Sequence, residues 1–145
     1  MNLRGDVMRM WHKDLIPILP RAQLVAQWRE CCLIARQIAV KGTPNHILVN
    51  RVCNFKMEHF ATYCYLVKWE LSHRDYEPSK SAEESLVNYI SMPLEQYVPT
   101  DILFRTWHND RYLYQCISNL EEKFDCGGIS FEEWQPIEDY ILGVI

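Results

Sequence analysis

Apolar residues recur every three or four positions along most of this chain, and this spacing predicts amphipathic α-helices. The longest such run covers residues 21–40, and Gly42 and Pro44 follow it, as helix-ending residues usually do. Its predicted inward face contains Leu24, Trp28, Cys31, Ala35 and Ile38. Its polar side contains Arg29 and Arg36 in one row, with Gln23, Gln27, Glu30 and Gln37 beside them. One long helix is therefore predicted early in the chain.

The same helical period continues through the rest of the chain, between clusters of turn-forming residues. Residues 46–53 lack the strict alternation of a strand, so a buried connection or a short helix is favoured there. Further helices are predicted at 54–73, 81–90, 109–124 and after Ser130, with irregular structure or short helical turns at 92–107. Two pairs have the spacing of a capping box, Ser81 with Glu84 and Ser130 with Glu133. The predicted fold class is all-α, with about five helices.

Length and composition indicate one compact domain, residues 1–145, with a substantial hydrophobic core. The chain has 145 residues and 48% of them are apolar, which is typical of a single domain. No apolar run approaches the roughly 20 residues of a membrane span, and the first residues do not resemble a secretory signal. We therefore expect a cytoplasmic protein without a membrane partner.

Six cysteines are present, but neither their spacing nor the expected compartment favours disulfides. Cys31, Cys64 and Cys116 fall on predicted inward faces, where a free cysteine behaves as a small hydrophobic residue. No CxxC pair occurs, and the five histidines do not have zinc-ligand spacing. We therefore expect free thiols, no metal site and no cofactor.

Charged residues are divided unevenly between the two halves of the chain. The net charge is −4, yet residues 1–56 contain nine basic and three acidic residues, a local charge of +6. Residues 57–145 contain six basic and sixteen acidic residues, a local charge of −10. A basic half is typical of a phosphate-binding surface. The alternative is an uneven placement of solvated charges without a function.

Arg29 and Glu30 are the first candidates for a functional site. Glu30 is the only acid between Asp14 and Glu58. We expect Arg29 and Arg36 to favour its ionised form, and a carboxylate so placed can stabilise a cationic intermediate or transfer protons. The alternative is an ordinary solvated helix face, which the spacing alone favours.

The segment 107–111, Trp-His-Asn-Asp-Arg, is also dense in polar groups. An N-cap for the following helix at Asn109 or Asp110 explains most of this composition. A contact with substrate is the alternative interpretation.

Four stretches carry a family resemblance: MRMWHKDLIPILPR (8–21), PRAQLVAQWREC (20–31), FKMEHF (55–60) and HRDYEP (73–78). They resemble a bacterial branch of the pyrimidine-dimer DNA glycosylase family, to which the phage endonuclease V belongs. The resemblance covers about half of the chain. Residues 1–80 would form the glycosylase-like helical core, and 81–145 would add helices without an assigned role.

The resemblance implies a compact all-α DNA repair enzyme that is both a glycosylase and an AP lyase and needs no metal. Its substrate would be damaged double-stranded DNA, and we expect it to act as a monomer. In that chemistry an N-terminal α-amino group attacks the sugar carbon C1′, the base is displaced, and an imine forms before β-elimination. Exposing C1′ requires kinked DNA or a flipped base.

The resemblance also implies roles for individual residues. Glu30 would be the catalytic carboxylate, Arg29 would hold the DNA backbone at the lesion, and Met8 would supply the amine. Further DNA-binding residues are expected among the basic side chains of the first half: Arg9, Arg21, Arg36, Lys41 and Arg51.

Three features depart from the phage enzyme. The sequence as given begins seven residues before Met8, at Met1, which would move the amine out of register. Leu33 stands where that enzyme has a second arginine, so the phosphate contact is expected to be weaker or to be supplied by another residue, such as Arg36. Arg9 follows Met8 in place of a small residue that lets methionine be removed, so the amine would belong to Met8 itself. Residues 4–8 can be encoded by a purine-rich ribosome-binding sequence before an AUG codon, so we expect translation to start at Met8.

Three interpretations compete. The favoured one is the DNA glycosylase and AP lyase. The second is a non-catalytic DNA-binding relative, which would bind duplex DNA in a salt-dependent way without forming a covalent adduct. The third is a helical protein-interaction protein of a phage or mobile element, with the acidic half as its working surface.

Overall fold

The computed structural model describes residues 9–41 and 47–144, and these residues form helices and turns without a β-strand. The elements are a 3-10 helix Lys13–Ile18 and the α-helices α1 Arg21–Lys41, α2 Ile47–Cys53, α3 Met57–His73, α4 Lys80–Ile90, α5 Asp110–Asp125 and α6 Phe131–Val144. The all-α prediction is confirmed. The short helix that was one alternative for residues 46–53 is present as α2, whereas the 3-10 helix was not predicted, so the predicted number of about five helices was slightly low. Met8, Gly42 and Pro44 lie outside the described residues.

The long helix α1 packs against α3 and α4 and also contacts α2. Leu24, Cys31 and Ala35 of its predicted inward face are fully buried, and Trp28 is nearly so. Ile38 is half-buried at the edge of the core. The predicted inward face is therefore confirmed, and the opposite face of α1 is left for other contacts.

Gln27 of α1 was predicted on the polar side, and this prediction is wrong because its side chain is fully buried. Its Oε1 accepts a hydrogen bond from the Trp11 backbone N–H at 2.8 Å, and its Nε2 donates to the Arg9 carbonyl at 2.8 Å. The Tyr63 hydroxyl lies 3.0 Å from the same Oε1 and donates to the Trp11 carbonyl at 2.6 Å. This amide therefore ties the N-terminal segment, residues 9–12, to α1 and α3 and satisfies groups that are costly to bury unpaired.

The loop before α5 and α5 itself hold the other side of the N-terminal segment. The buried Lys13 donates from Nζ to the Leu103 carbonyl at 2.7 Å. Its backbone N–H donates to Nδ1 of His108 at 3.0 Å, and the Tyr112 hydroxyl donates to the Met10 carbonyl. Residues 81–145, to which the family resemblance assigned no role, thus help to position the residues just before α1.

Two predicted helix starts have different outcomes. Ser79, and not Ser81, caps α4, because the Ser79 hydroxyl accepts the N–H of Ala82 at 3.3 Å. Ser130 accepts the N–H of Glu133 at 3.1 Å at the start of α6. The serine cap of α6 is therefore confirmed at Ser130, and the predicted cap of α4 is replaced by one two residues earlier.

One hydrophobic core cluster includes residues from Met10 to Ile137, so both halves of the chain contribute to it. All six cysteines are free thiols, as predicted, and Cys31, Cys64 and Cys116 are buried. None of the described helices is both long enough and apolar enough to cross a membrane.

Replacing Gln27 with leucine should lower the free energy of unfolding by about 3 kcal/mol, because backbone groups of Arg9 and Trp11 lose their partner. Urea denaturation followed by circular dichroism measures this change. Gln37→Leu, on the same helix and half-exposed, is the control and should change stability by less than about 0.5 kcal/mol. Equal losses in the two variants would show that Gln27 does not anchor the segment.

Candidate active site

Glu30 lies one helical turn beyond Gln27 on α1 and faces the same N-terminal segment. Its carboxylate accepts a hydrogen bond from the backbone N–H of Arg9, whose carbonyl is bound by Gln27. Residues three apart are neighbours on a helix surface, so Gln27 and Glu30 together bind both backbone polar groups of Arg9. The position of Glu30 relative to the N-terminal segment is therefore fixed.

Burial raises the pKa of the Glu30 carboxyl to about 7. The backbone N–H and the charge of Arg9, and the charge of Arg29, act in the opposite direction but are outweighed. The expected direction of the Arg29 effect is therefore confirmed, but the prediction that the ionised form is favoured overall is wrong, because the sequence did not show that this carboxyl is buried. Near neutral pH the group can both give and accept a proton.

Arg29 and Arg36 are exposed at a groove between α1 and α4. The groove has a volume of about 540 Å³ and is lined mainly by apolar and aromatic side chains, including Leu33, Tyr76 and Tyr89. Within the described part of the chain neither arginine forms an ion pair. The groove is thus apolar inside and basic along its α1 edge.

Arg21 begins α1, and its exposed guanidinium lies 5.6 Å from the centroid of the Tyr76 ring. Its backbone N–H donates to Oε2 of Glu133 at 2.8 Å, where the helix dipole favours a carboxylate. Arg21, Arg29 and Glu133 line one pocket. Arg21, Arg29 and Arg36 are therefore called the first basic group.

Arg9, Arg51 and Arg111 surround Tyr112 and are called the second basic group. Arg9 and Arg111 line a pocket of about 660 Å³ together with Tyr112. Arg51 is exposed and lies 5.2 Å from the centroid of the Trp107 ring. Burial raises the pKa of Tyr112, and the charges of Arg9 and Arg51 oppose this increase, so both arginines act on the same phenol.

The polar segment 107–111 contains structural residues and one exposed arginine. Burial, followed by nearby positive charge, lowers the pKa of His108 to about 2, so its imidazole is a neutral acceptor for Lys13. Asn109 caps α5, its Oδ1 accepting the N–H three residues later at 3.0 Å, which confirms the N-cap interpretation. Arg111 was missed as a basic candidate because it lies in the acidic half, although the polar density of its segment was a signal.

Glu30 lies between the two basic groups. The charges of Arg9 and Arg29, one from each group, both act on its carboxyl. Met8 and the side chain of Lys41 lie outside the described part of the structure. Among the described residues, no cluster of three or more His, Cys, Asp or Glu side chains could hold a metal ion. The site thus consists of one half-buried acid, an adjoining backbone N–H and exposed arginines on both sides.

These features define a helical protein in which arginines flank a half-buried carboxyl group able to exchange protons near neutral pH. A family model described as pyrimidine dimer DNA glycosylase matches residues 8–84, just over half of the 145 residues. The chain belongs to this family, and the resemblance found in the sequence is confirmed. No curated protein and no solved structure matches the chain.

The pKa of Glu30 predicts a pH-dependent effect of Glu30→Gln on stability. A carboxyl whose pKa is raised in the fold stabilises it below the pKa of the unfolded chain and loses this contribution as the pH rises through about 7. The side chain of the variant stays neutral at every pH. At about pH 9 its free energy of unfolding should therefore exceed that of the wild type by about 1 kcal/mol, after allowance for solvent screening. At about pH 4 the two free energies should be equal. Urea titrations at both pH values measure the difference.

The matched control for this measurement is Glu84→Gln, which removes an exposed carboxylate from α4. It should change the free energy of unfolding little at either pH, because exposed substitutions have small effects. A difference between Glu30→Gln and the wild type that does not depend on pH would contradict the raised pKa.

Proposed function

We propose that this protein is a DNA glycosylase and AP lyase that removes pyrimidine dimers or related base damage from duplex DNA. The observation that carries the proposal is the hydrogen bond from the Arg9 backbone N–H to the Glu30 carboxylate. It brings an acid with a pKa of about 7 next to the residue that follows Met8. Family membership over residues 8–84 supports the same activity.

The proposed nucleophile is an α-amino group at the start of the N-terminal segment. In a chain that begins at Met8, the amine is attached to a Cα about 3.8 Å from that of Arg9. In a chain that begins at Arg9, the amine is the nitrogen that binds Glu30. A chain that begins at Met1 has an amide at both positions, and an amide nitrogen is not a useful nucleophile.

The proposed reaction has two stages that share one covalent intermediate. The amine nitrogen bonds to C1′ while the bond from C1′ to the damaged base breaks, and the base leaves with a proton. The sugar ring then opens as O4′ gains a proton and the nitrogen loses one, which gives an imine. Removal of a proton from C2′ breaks the C3′–O bond, and hydrolysis of the imine releases the amine.

Glu30 is proposed to transfer protons in both stages. As a carboxylic acid it can protonate O4′, and as a carboxylate it can remove the C2′ proton or stabilise the cationic sugar. A pKa of about 7 makes both forms available near neutral pH. The two basic groups are proposed to hold DNA phosphates on either side of the lesion.

Borohydride trapping on DNA with an abasic site tests this proposal. Chains that begin at Met1, Met8 and Arg9 are compared, after mass spectrometry has verified each N-terminus. A covalent adduct is expected from the Met8 or the Arg9 chain but not from the Met1 chain, which has no amine near Glu30. The mass of the adducted peptide identifies the nucleophile. If no chain is trapped on abasic or UV-irradiated duplex, the proposed reaction is wrong.

In the chain that is trapped, Glu30→Gln should slow strand cleavage by about a hundredfold or more, because a positioned acid–base group is removed. Duplex binding should remain nearly unchanged. Glu84→Gln serves as the control and should cleave at the wild-type rate. Full cleavage by Glu30→Gln would exclude Glu30 as the catalytic carboxyl.

Replacing Arg29 with alanine should weaken duplex binding and reduce the slope of log Kd against log salt concentration by about 1, since one phosphate contact is lost. Fluorescence anisotropy over a salt series measures both quantities. Lys123→Ala removes an exposed positive charge from α5 and should leave the slope unchanged. An equal slope in the wild type and Arg29→Ala would show that Arg29 does not contact a DNA phosphate.

A further inference from the structure

Leu33 is an apolar side chain exposed in the middle of the charged face of α1. Its exposed fraction is 49%. Its nearest neighbours on the helix surface are the residues three and four positions away, namely Arg29, Glu30, Arg36 and Gln37. About half of the side chain is open to solvent, so part of its apolar surface is available to a bound partner.

Leu33 also lines the apolar groove between α1 and α4, together with Tyr76 and Tyr89. One side of the leucine therefore adjoins the groove, and the other adjoins Glu30. The groove volume of about 540 Å³ falls within the range of roughly 300–1,000 Å³ found for small-ligand sites. A base displaced from a duplex beside Leu33 would meet an apolar surface with two aromatic side chains.

We propose that Leu33 enters the base stack of bound duplex DNA and opens it at the lesion. This inference rests on the proposed DNA glycosylase function. Apolar side chains that enter a base step unstack it and kink the duplex. Arg29 and Arg36 lie on either side of Leu33 along the helix, where they can hold the phosphates that flank the opened step. Opening the stack would bring C1′ of the damaged nucleotide to the flank of Leu33 that adjoins Glu30.

Fluorescence of 2-aminopurine beside a tetrahydrofuran abasic analogue measures stack opening without catalysis. The wild type should raise the fluorescence on saturating binding, and Leu33→Ala should lose most of this rise. Leu33→Met, with an apolar side chain of similar volume, should keep it. Leu142→Ala removes an exposed leucine from α6 and should match the wild type. Thermal unfolding of each variant verifies that the fold is retained.

Leu33→Arg separates stack opening from phosphate binding. The added charge should tighten duplex binding. The fluorescence rise seen with the wild type should still be lost, because a charged side chain does not enter the base stack as an apolar one does. A full fluorescence rise with Leu33→Arg would show that any long side chain at this position suffices. It would overturn the proposal that an apolar side chain opens the base stack.

Borohydride trapping gives the catalytic test. Leu33→Ala should slow trapping on an abasic duplex by about tenfold or more, yet change it by less than about twofold on single-stranded abasic DNA, which has no paired stack to open. If the wild type traps neither DNA, the proposed function fails, while the fluorescence rise still tests Leu33. Two results would overturn the proposed role of Leu33. One is equal fluorescence in the wild type and Leu33→Ala, and the other is that Leu33→Ala slows trapping equally on duplex and single-stranded abasic DNA.

Discussion

The buried amide of Gln27 is the interaction on which the rest of the site depends. It binds the carbonyl of Arg9 and the N–H of Trp11, so it fixes the register of the N-terminal segment on α1. A shift by one residue would break both bonds and leave buried polar groups unpaired, at a cost of about 1–3 kcal/mol each. The register in turn determines which backbone N–H meets Glu30, and hence where an N-terminal amine would lie.

The same constraint explains the protonation behaviour of Glu30. The N-terminal segment covers part of the carboxyl and removes water from it, which raises its pKa, while Arg9 and Arg29 limit the increase. If the arginines had dominated, the group would be ionised at neutral pH and could only stabilise positive charge. Because burial dominates, the acid and the base are both populated, which proton transfer requires.

The inward face of α1 could be predicted because the helical period depends only on local spacing, as Leu24 and Cys31 illustrate. The burial of Gln27 and Glu30 could not be predicted from the sequence, since both residues are polar and are covered by a segment that folds back onto the helix. The bond from Gln27 to Trp11 spans 16 positions, and the one from Lys13 to His108 spans 95. Arg111 reaches the second basic group through such long-range packing, which no local pattern records.

The acidic half of the chain contributes uncharged hydrogen-bond partners to the N-terminal segment. The groups it offers to the N-terminal segment include a backbone carbonyl from Leu103, the neutral imidazole of His108 and the Tyr112 hydroxyl. These groups satisfy buried donors and acceptors of the segment without using a carboxylate. Glu133 does approach the first basic group, but its carboxylate binds the N-terminus of α1, where the helix dipole stabilises it. Local positive charge can therefore persist in a protein whose net charge is −4, and it is local charge that attracts a phosphate backbone.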